Sequence, residues 1–211
     1  MNTTLPFNEH VKEYEDWFDL YPFVFQSEVE AIRALLQSSN QLRSLEIGAG
    51  TGRFSKELGI KEGIEPSANM RALALKRGID VIAAQAEHLP YMDMTFDLLL
   101  MVSCISYFED LEAALAEAKR VLKSGGSLII GFIDKDSIIG KSYERRKSHS
   151  VFYKEAKFYT TKTIISELNK MGFKNYEFIQ TLFHPLDEIN EFELPKHGYG
   201  EGSFVVIKAI K

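Results

Sequence analysis

The sequence has one cysteine, Cys104, so no disulfide can form within the chain. That sets aside the small cross-linked folds of the secretory pathway. No uninterrupted apolar stretch approaches the roughly 20 residues that a membrane-crossing helix needs. The opening residues, Met-Asn-Thr-Thr-Leu-Pro, lack the basic start and apolar run of a secretion signal. A cytoplasmic location and no membrane partner are therefore expected. Metal-ligand spacings are missing too. His10, His88, His149, His184 and His197 are scattered, and none pairs with Cys104 or a carboxylate in a C-x-x-C or H-E-x-x-H pattern. No metal and no catalytic triad are expected. A net charge of −5 offers no excess of basic residues for phosphates, so nucleic acid is not an expected partner.

What is present suits a globular α/β protein. The 211 residues are 45% hydrophobic and 26% charged, enough for one domain with a substantial core. Short apolar runs occupy Leu42 to Ile47, Gly63 to Glu65, Asp80 to Ala84, Phe96 to Val102 and Ser127 to Ile133. The last two are almost continuously apolar, as strands are when helices cover both faces of a parallel sheet. Helical patterns lie around them. Val29, Ile32, Leu35 and Leu36 share one face. Ser67, Asp110 and Thr160 or Thr161 stand where helix caps belong. Two late runs, Tyr176 to Phe183 and Ser203 to Ile210, read as strands. Alternating βα units of this kind predict an open, doubly wound sheet.

Two segments stand outside the repeat. Residues 7–25 carry Phe7, Tyr14, Trp17, Phe18, Tyr21, Phe23 and Phe25. Residues 137–158 carry Lys141, Arg145, Arg146, Lys147, Lys154 and Lys157. Both are expected to cover strand ends within a single domain, 1–211. Its parts are an N-terminal helical cap (7–36), a ligand-binding core (42–134), a lid (137–158) and a C-terminal helix with a strand pair (159–211). The basic residues of the lid could favour an anionic ligand or form a solvated helix face.

The most informative stretch is Glu46-Ile47-Gly48-Ala49-Gly50-Thr51-Gly52. A strand runs into a glycine-rich turn, and a helix can start at Arg53. Glycines allow the sharp bend and let a ligand approach the backbone. Dinucleotide enzymes favour G-x-G-x-x-G, facing a pyrophosphate. Here the spacing is G-x-G-x-G, and Glu46 would repel a pyrophosphate but accept an ammonium group. Glu65, ending the second run, can accept hydrogen bonds from both hydroxyls of a ribose. Together the loop and the acid point to a nucleoside ligand.

Glu46 to Gly52 resembles the E/D-x-G-x-G-x-G motif of the class I, Rossmann-like S-adenosylmethionine methyltransferases. Ile64-Glu65-Pro66-Ser67, Ala86-Glu87-His88-Leu89-Pro90, Phe96-Asp97 to Val102 and Lys119 to Gly126 follow in order. The series is similar to the methyltransferase-11 branch and covers residues 42–134. The resemblance implies a mostly parallel, seven-stranded sheet with an antiparallel C-terminal strand, preceded by an N-terminal helix. It implies S-adenosylmethionine as cofactor and S-adenosylhomocysteine as product. Glu46, Gly48, Ala49, Gly50 and Gly52 would form the loop at the methionine end. Glu65 would take the ribose, Pro66 and Met70 would pack near the adenine, and Ala86 and Glu87 would lie at its polar edge. Val102 and Ser103 would line the methionine side. Gln85 stands where the branch often has Asp.

The acceptor is expected at the ends of the fourth and fifth strands, beside Cys104, Ser106, Tyr107 and Asp134. Tyr107 could orient it or pack on the sheet. Asp134 could hold an amine, act as a base, or end a strand in solvent. Tyr14 and Trp17, three residues apart, could share a helix face over the sulfonium or pack on the core. The leading reading is methyl transfer to a nitrogen or oxygen of a small molecule. A cofactor-binding protein without turnover, such as a sensor or partner subunit, is the alternative. A nicotinamide dehydrogenase fits the glycine spacing poorly.

Overall fold

The computed structural model describes residues 4–36 and 42–211. Met1, Asn2 and Thr3, read above for a leader, lie outside them. Three helices come first: α1 (Leu5–Glu9), α2 (Val11–Leu20) and α3 (Pro22–Arg33). The sequence reading expected one N-terminal helix. Non-helical backbone at His10 and Tyr21, with Pro22 opening α3, breaks it into three.

The core then alternates: β1 (Ser44–Ile47), α4 (Arg53–Leu58), β2 (Glu62–Ile64), α5 (Ala68–Lys76), β3 (Asp80–Ile82), β4 (Phe96–Val102), α6 (Leu111–Val121) and β5 (Leu122–Ile133). It closes with α7 (Ile138–Arg146), α8 (Thr161–Lys170), β6 (Lys174–Thr181), β7 (Lys196–His197) and β8 (Phe204–Ile210). Strand order is β3-β2-β1-β4-β5-β8-β6-β7. β1 to β5 pair in parallel, and β8 enters antiparallel between β5 and β6. The sheet has eight strands, not seven. The addition is the two-residue β7 on the β6 edge, paired through Ile179 and Gln180. Two residues carry no periodicity, so it left no trace in the hydropathy pattern.

β4 explains the layering. Leu99 and Met101 face one core, shared with Ala114, Leu115, Ala118 and Val121 of α6 and Ile164 and Leu168 of α8. Leu98, Leu100 and Val102 face the other, shared with Val24, Val29 and Ile32 of α3 and Phe54 of α4. The period-two alternation of one strand thus feeds two helical layers. The caps expected from the sequence are made: Ser67 accepts from Met70 N, Asp110 from Ala113 N and Thr160 from Thr163 N.

The chain turns toward β2 and β3 after β1, then crosses to the other side of β1 for β4 and β5. Order therefore reverses between β1 and β4. Their carboxyl ends splay into the crevice where open α/β sheets take ligands.

Candidate functional site

A cavity of about 270 Å³ opens at that crevice. One end is built by the glycine loop. Gly48, Gly50 and Gly52 have φ of +72°, +55° and +79°, the left-handed region that glycine enters freely. Each has a separate reason to lack a side chain. A Cβ on Gly48 would lie 2.6 Å from Cys104 Cβ. One on Gly50 would meet the Tyr14 hydroxyl at 3.2 Å, and one on Gly52 would press on Ala74 and Ile79. Ser103, at the end of β4, is also left-handed (φ +52°) and lines the cavity. A non-glycine residue there carries local strain, a feature that clusters at functional sites.

Glu65 stands one residue past β2 and is buried. Its two oxygens accept from Gly50 N (3.0 Å) and Ser67 N (2.8 Å). Burial raises its pKa, while those two N–H groups oppose the rise. Each oxygen keeps lone-pair capacity for one more donor, which suits a pair of ribose hydroxyls. Arg71 fixes the segment from behind, donating to Glu65 O and Pro66 O.

Most of the residues singled out from sequence come together in this wall: Gly48, Gly50, Glu65, Pro66, Met70, Gln85, Ala86, Glu87, Val102 and Ser103, with Cys104, Ser106, Tyr107, Tyr14 and Trp17. Glu87 is already engaged, accepting from Glu109 N (2.9 Å) and Asp110 N (3.4 Å). Burial pushes the Cys104 thiol up, and it donates to Ile47 O, so it lines the site as an un-ionised group.

Glu46, Ala49, Gly52 and Asp134 are not in the wall. Glu46 alternates with Leu45 and Ile47 and turns to α4, where it accepts from the Ser55 hydroxyl. Burial pushes it up to about 8. Ala49 packs with Ala74, Ile79 and Val81 under the loop. Gly52 faces that same cluster. Asp134, expected beside the acceptor or free in solvent, is instead tied into the fold by hydrogen bonds. It accepts from Asp136 N (2.8 Å) through one oxygen and from Thr161 N (2.8 Å) and the Thr161 hydroxyl through the other, so it ties β5 to the start of α8.

The N-terminal helices close the cavity over the loop. Glu15 accepts from Arg53 at 2.8 Å and from Arg77, and Arg77 also donates to Thr51 O. Asn8 accepts from Asn69 N and Ser67 Oγ. Arg53, the residue in place of a dinucleotide glycine, is thus the clamp that seats α2 on the loop. Phe7 packs edge-on to Tyr107 at 4.7 Å and against Phe152 at 5.3 Å, joining the cap to residues 137–158. Tyr143 and Tyr153 stack at 4.6 Å beside Phe158. The basic side chains of this segment point elsewhere; none reaches the wall.

One wall residue went unmarked in the sequence reading. Glu28 on α3 lines the cavity at 5% exposure. It has no hydrogen-bond or ion-pair partner among the described residues, and burial alone pushes it up to about 8. A signal existed: Val24, Glu28, Ala31 and Leu35 form one stripe at helical spacing, and the other three are buried apolar residues. A carboxylate inside such a stripe needs a reason.

Residues 45–130 match the model of the methyltransferase domain. A crystal structure from Thermotoga maritima, described as an S-adenosylmethionine-dependent methyltransferase and possible histamine N-methyltransferase, is 45% identical. It superposes with a TM-score of 0.96, covering 100% of both chains. An uncharacterized protein of Methanocaldococcus jannaschii is 45% identical over 97% of this chain and 98% of its own. The malonyl-[acyl-carrier protein] O-methyltransferase of Geobacter sulfurreducens is 28% identical over 80% of this chain and 71% of its own. With the glycine loop, the reversal of strand order and the acid after β2 all in place, the chain belongs to the Rossmann-like, S-adenosylmethionine-dependent methyltransferases.

Proposed function

We propose that this protein transfers the methyl group of S-adenosylmethionine to a nitrogen or oxygen of a small-molecule acceptor. The observation that carries this reading is the lining of the cavity. One wall contains the glycine loop and Glu65 together with Trp17, Glu28, Ile133, Tyr143, Tyr153 and Phe158. The first group suits the cofactor, and the second offers further side chains for an acceptor. When bound, the cofactor supplies an electrophilic methyl on a sulfonium. The protein's contribution is position and dryness. Backbone N–H groups of the loop, Glu65, Met70 and the 85–87 turn would hold the nucleoside and methionine parts. Tyr14 and Trp17 would cover the sulfonium, where aromatic faces favour positive charge and exclude water. Residues 7–36 and 137–158 would act as covers on the 42–134 core within one domain, and acceptor choice would reside in the covers.

The Thermotoga protein's description makes amines a natural part of the screen. Purified protein with S-adenosylmethionine should release S-adenosylhomocysteine when given one member of a panel of amines, phenols, carboxylates and quinone precursors. Binding of both cofactor forms without release across the panel would favour a sensor or partner subunit. No binding of either at millimolar concentration would remove the proposal.

A further inference from the structure

We propose that Glu28 anchors a protonated amino group of the acceptor, which makes the acceptor a small cationic amine. This rests on the methyl-transfer reading of the same cavity. The carboxylate is buried, lines the cavity and has no hydrogen-bond or ion-pair partner among the described residues. A charge left in that state is costly, and a bound cation would offset the cost. Of the four other acids of the wall, Glu65 is engaged by the loop, Glu87 by the backbone after β4 and Glu13 by His10 at 3.0 Å, while Glu109 is exposed to solvent. Among the described residues the wall contains no lysine, arginine or histidine. An anionic acceptor would meet acids with no countercharge. A cationic one would meet Glu28 and the rings of Trp17, Tyr143, Phe152 and Tyr153. The phenols of Tyr14, Tyr143 and Tyr153, which share the wall with Glu28, are raised by burial and neutral near pH 7. None of them supplies the missing positive charge.

An ammonium has no lone pair, so the atom held by Glu28 is not the atom methylated. The acceptor must carry a second, neutral nitrogen or oxygen that faces the sulfonium. Its lone pair forms the bond to the methyl carbon. The carbon–sulfur bond breaks, its electron pair stays on sulfur as the thioether, and the methylated atom releases a proton to water.

The test uses the full chain loaded with S-adenosylhomocysteine. Histamine and tyramine are titrated calorimetrically beside their neutral N-acetyl derivatives. The wild type should bind at least one of the amines more tightly than its neutral counterpart. Glu28→Gln, which keeps the shape and removes the charge, should weaken that amine by roughly tenfold to a hundredfold. Affinity for S-adenosylhomocysteine should be unchanged in the variant, which also shows that it folds. Glu28→Asp should restore part of the amine binding. Equal affinity for amine and acetyl derivative, no binding of either amine at millimolar concentration, or full amine affinity in Glu28→Gln would each overturn the proposal. Methyl transfer to acceptors that lack an ammonium would refute the Glu28 role and leave the enzyme assignment standing. Failure to bind S-adenosylhomocysteine would instead refute that assignment.

Discussion

Replacing Glu28 with glutamine should make the protein more stable in alkali, and by an amount that can be worked out. Burial lifts Glu28 from the usual 4.5 to about 8. Between those values the unfolded chain has released the proton and the native protein still holds it. Stability therefore falls as pH rises through this window. It is fully present below 4.5 and is lost as pH passes about 8. Each pH step is worth about 1.4 kcal/mol for one group, so a rigid site would lose roughly 5 kcal/mol across the window. Water entering the cavity and side-chain relaxation would reduce that to about 1–4 kcal/mol. Glu46 is pushed to a similar value and Glu65 is raised too, so the wild type should show a steep decline from several groups. Glu28→Gln removes one contributor and leaves the rest. Urea unfolding of both proteins at pH 5.5, 6.5, 7.5 and 8.5 measures the difference. The variant's advantage should grow steadily with pH. Parallel curves across the range would mean that Glu28 ionises near its ordinary value in the native protein. The picture of a buried carboxyl without a partner among the described residues would then be wrong.

Three further outcomes follow from the site. Glu65→Ala should weaken S-adenosylhomocysteine binding by about 1.5–3 kcal/mol, the range for a charged hydrogen bond, with the circular dichroism spectrum kept; unchanged affinity in calorimetry would detach Glu65 from the ligand. Gly48→Ala should abolish cofactor binding and lower Tm, because the new carbon falls 2.6 Å from Cys104 Cβ at a φ of +72°; Gly50→Val should be as harmful, and a thermal-shift titration with wild-type response would contradict both. Trypsin should cut first at Arg145, Arg146 and Lys154, which are exposed beside the cavity cover, and cofactor with acceptor should slow the cutting; equal resistance in the empty and loaded protein would make residues 137–158 a fixed cover, not a lid.

The fold and the glycine-loop end of the cavity were legible because their signals are local. A strand running into Gly48-x-Gly50-x-Gly52 has few other uses, and short, near-continuous apolar runs within β4 and β5 fit strands covered on both faces. Asp134 and Glu28 mark where local reading stops. Asp134 ends the fifth strand, where ligands are usually met, so its place in the chain suggested chemistry. Its partner Thr161 lies 27 residues away, across the whole cover segment, and only the folded chain shows the tie. Glu28 is the converse. Periodicity assigned α3 to the core through Val29, Ile32 and Leu35, and those residues are indeed buried. The same helix also turns Val24, Glu28 and Ala31 inward, and all three are buried. An acid between two apolar residues looks in sequence like a tolerated surface charge. Once the helix is enclosed, the carboxyl is largely shielded from solvent and has no cation beside it among the described residues, so it holds its proton. In a methyltransferase whose cavity wall has no positive side chain among its described residues, the missing charge belongs to what the cavity binds.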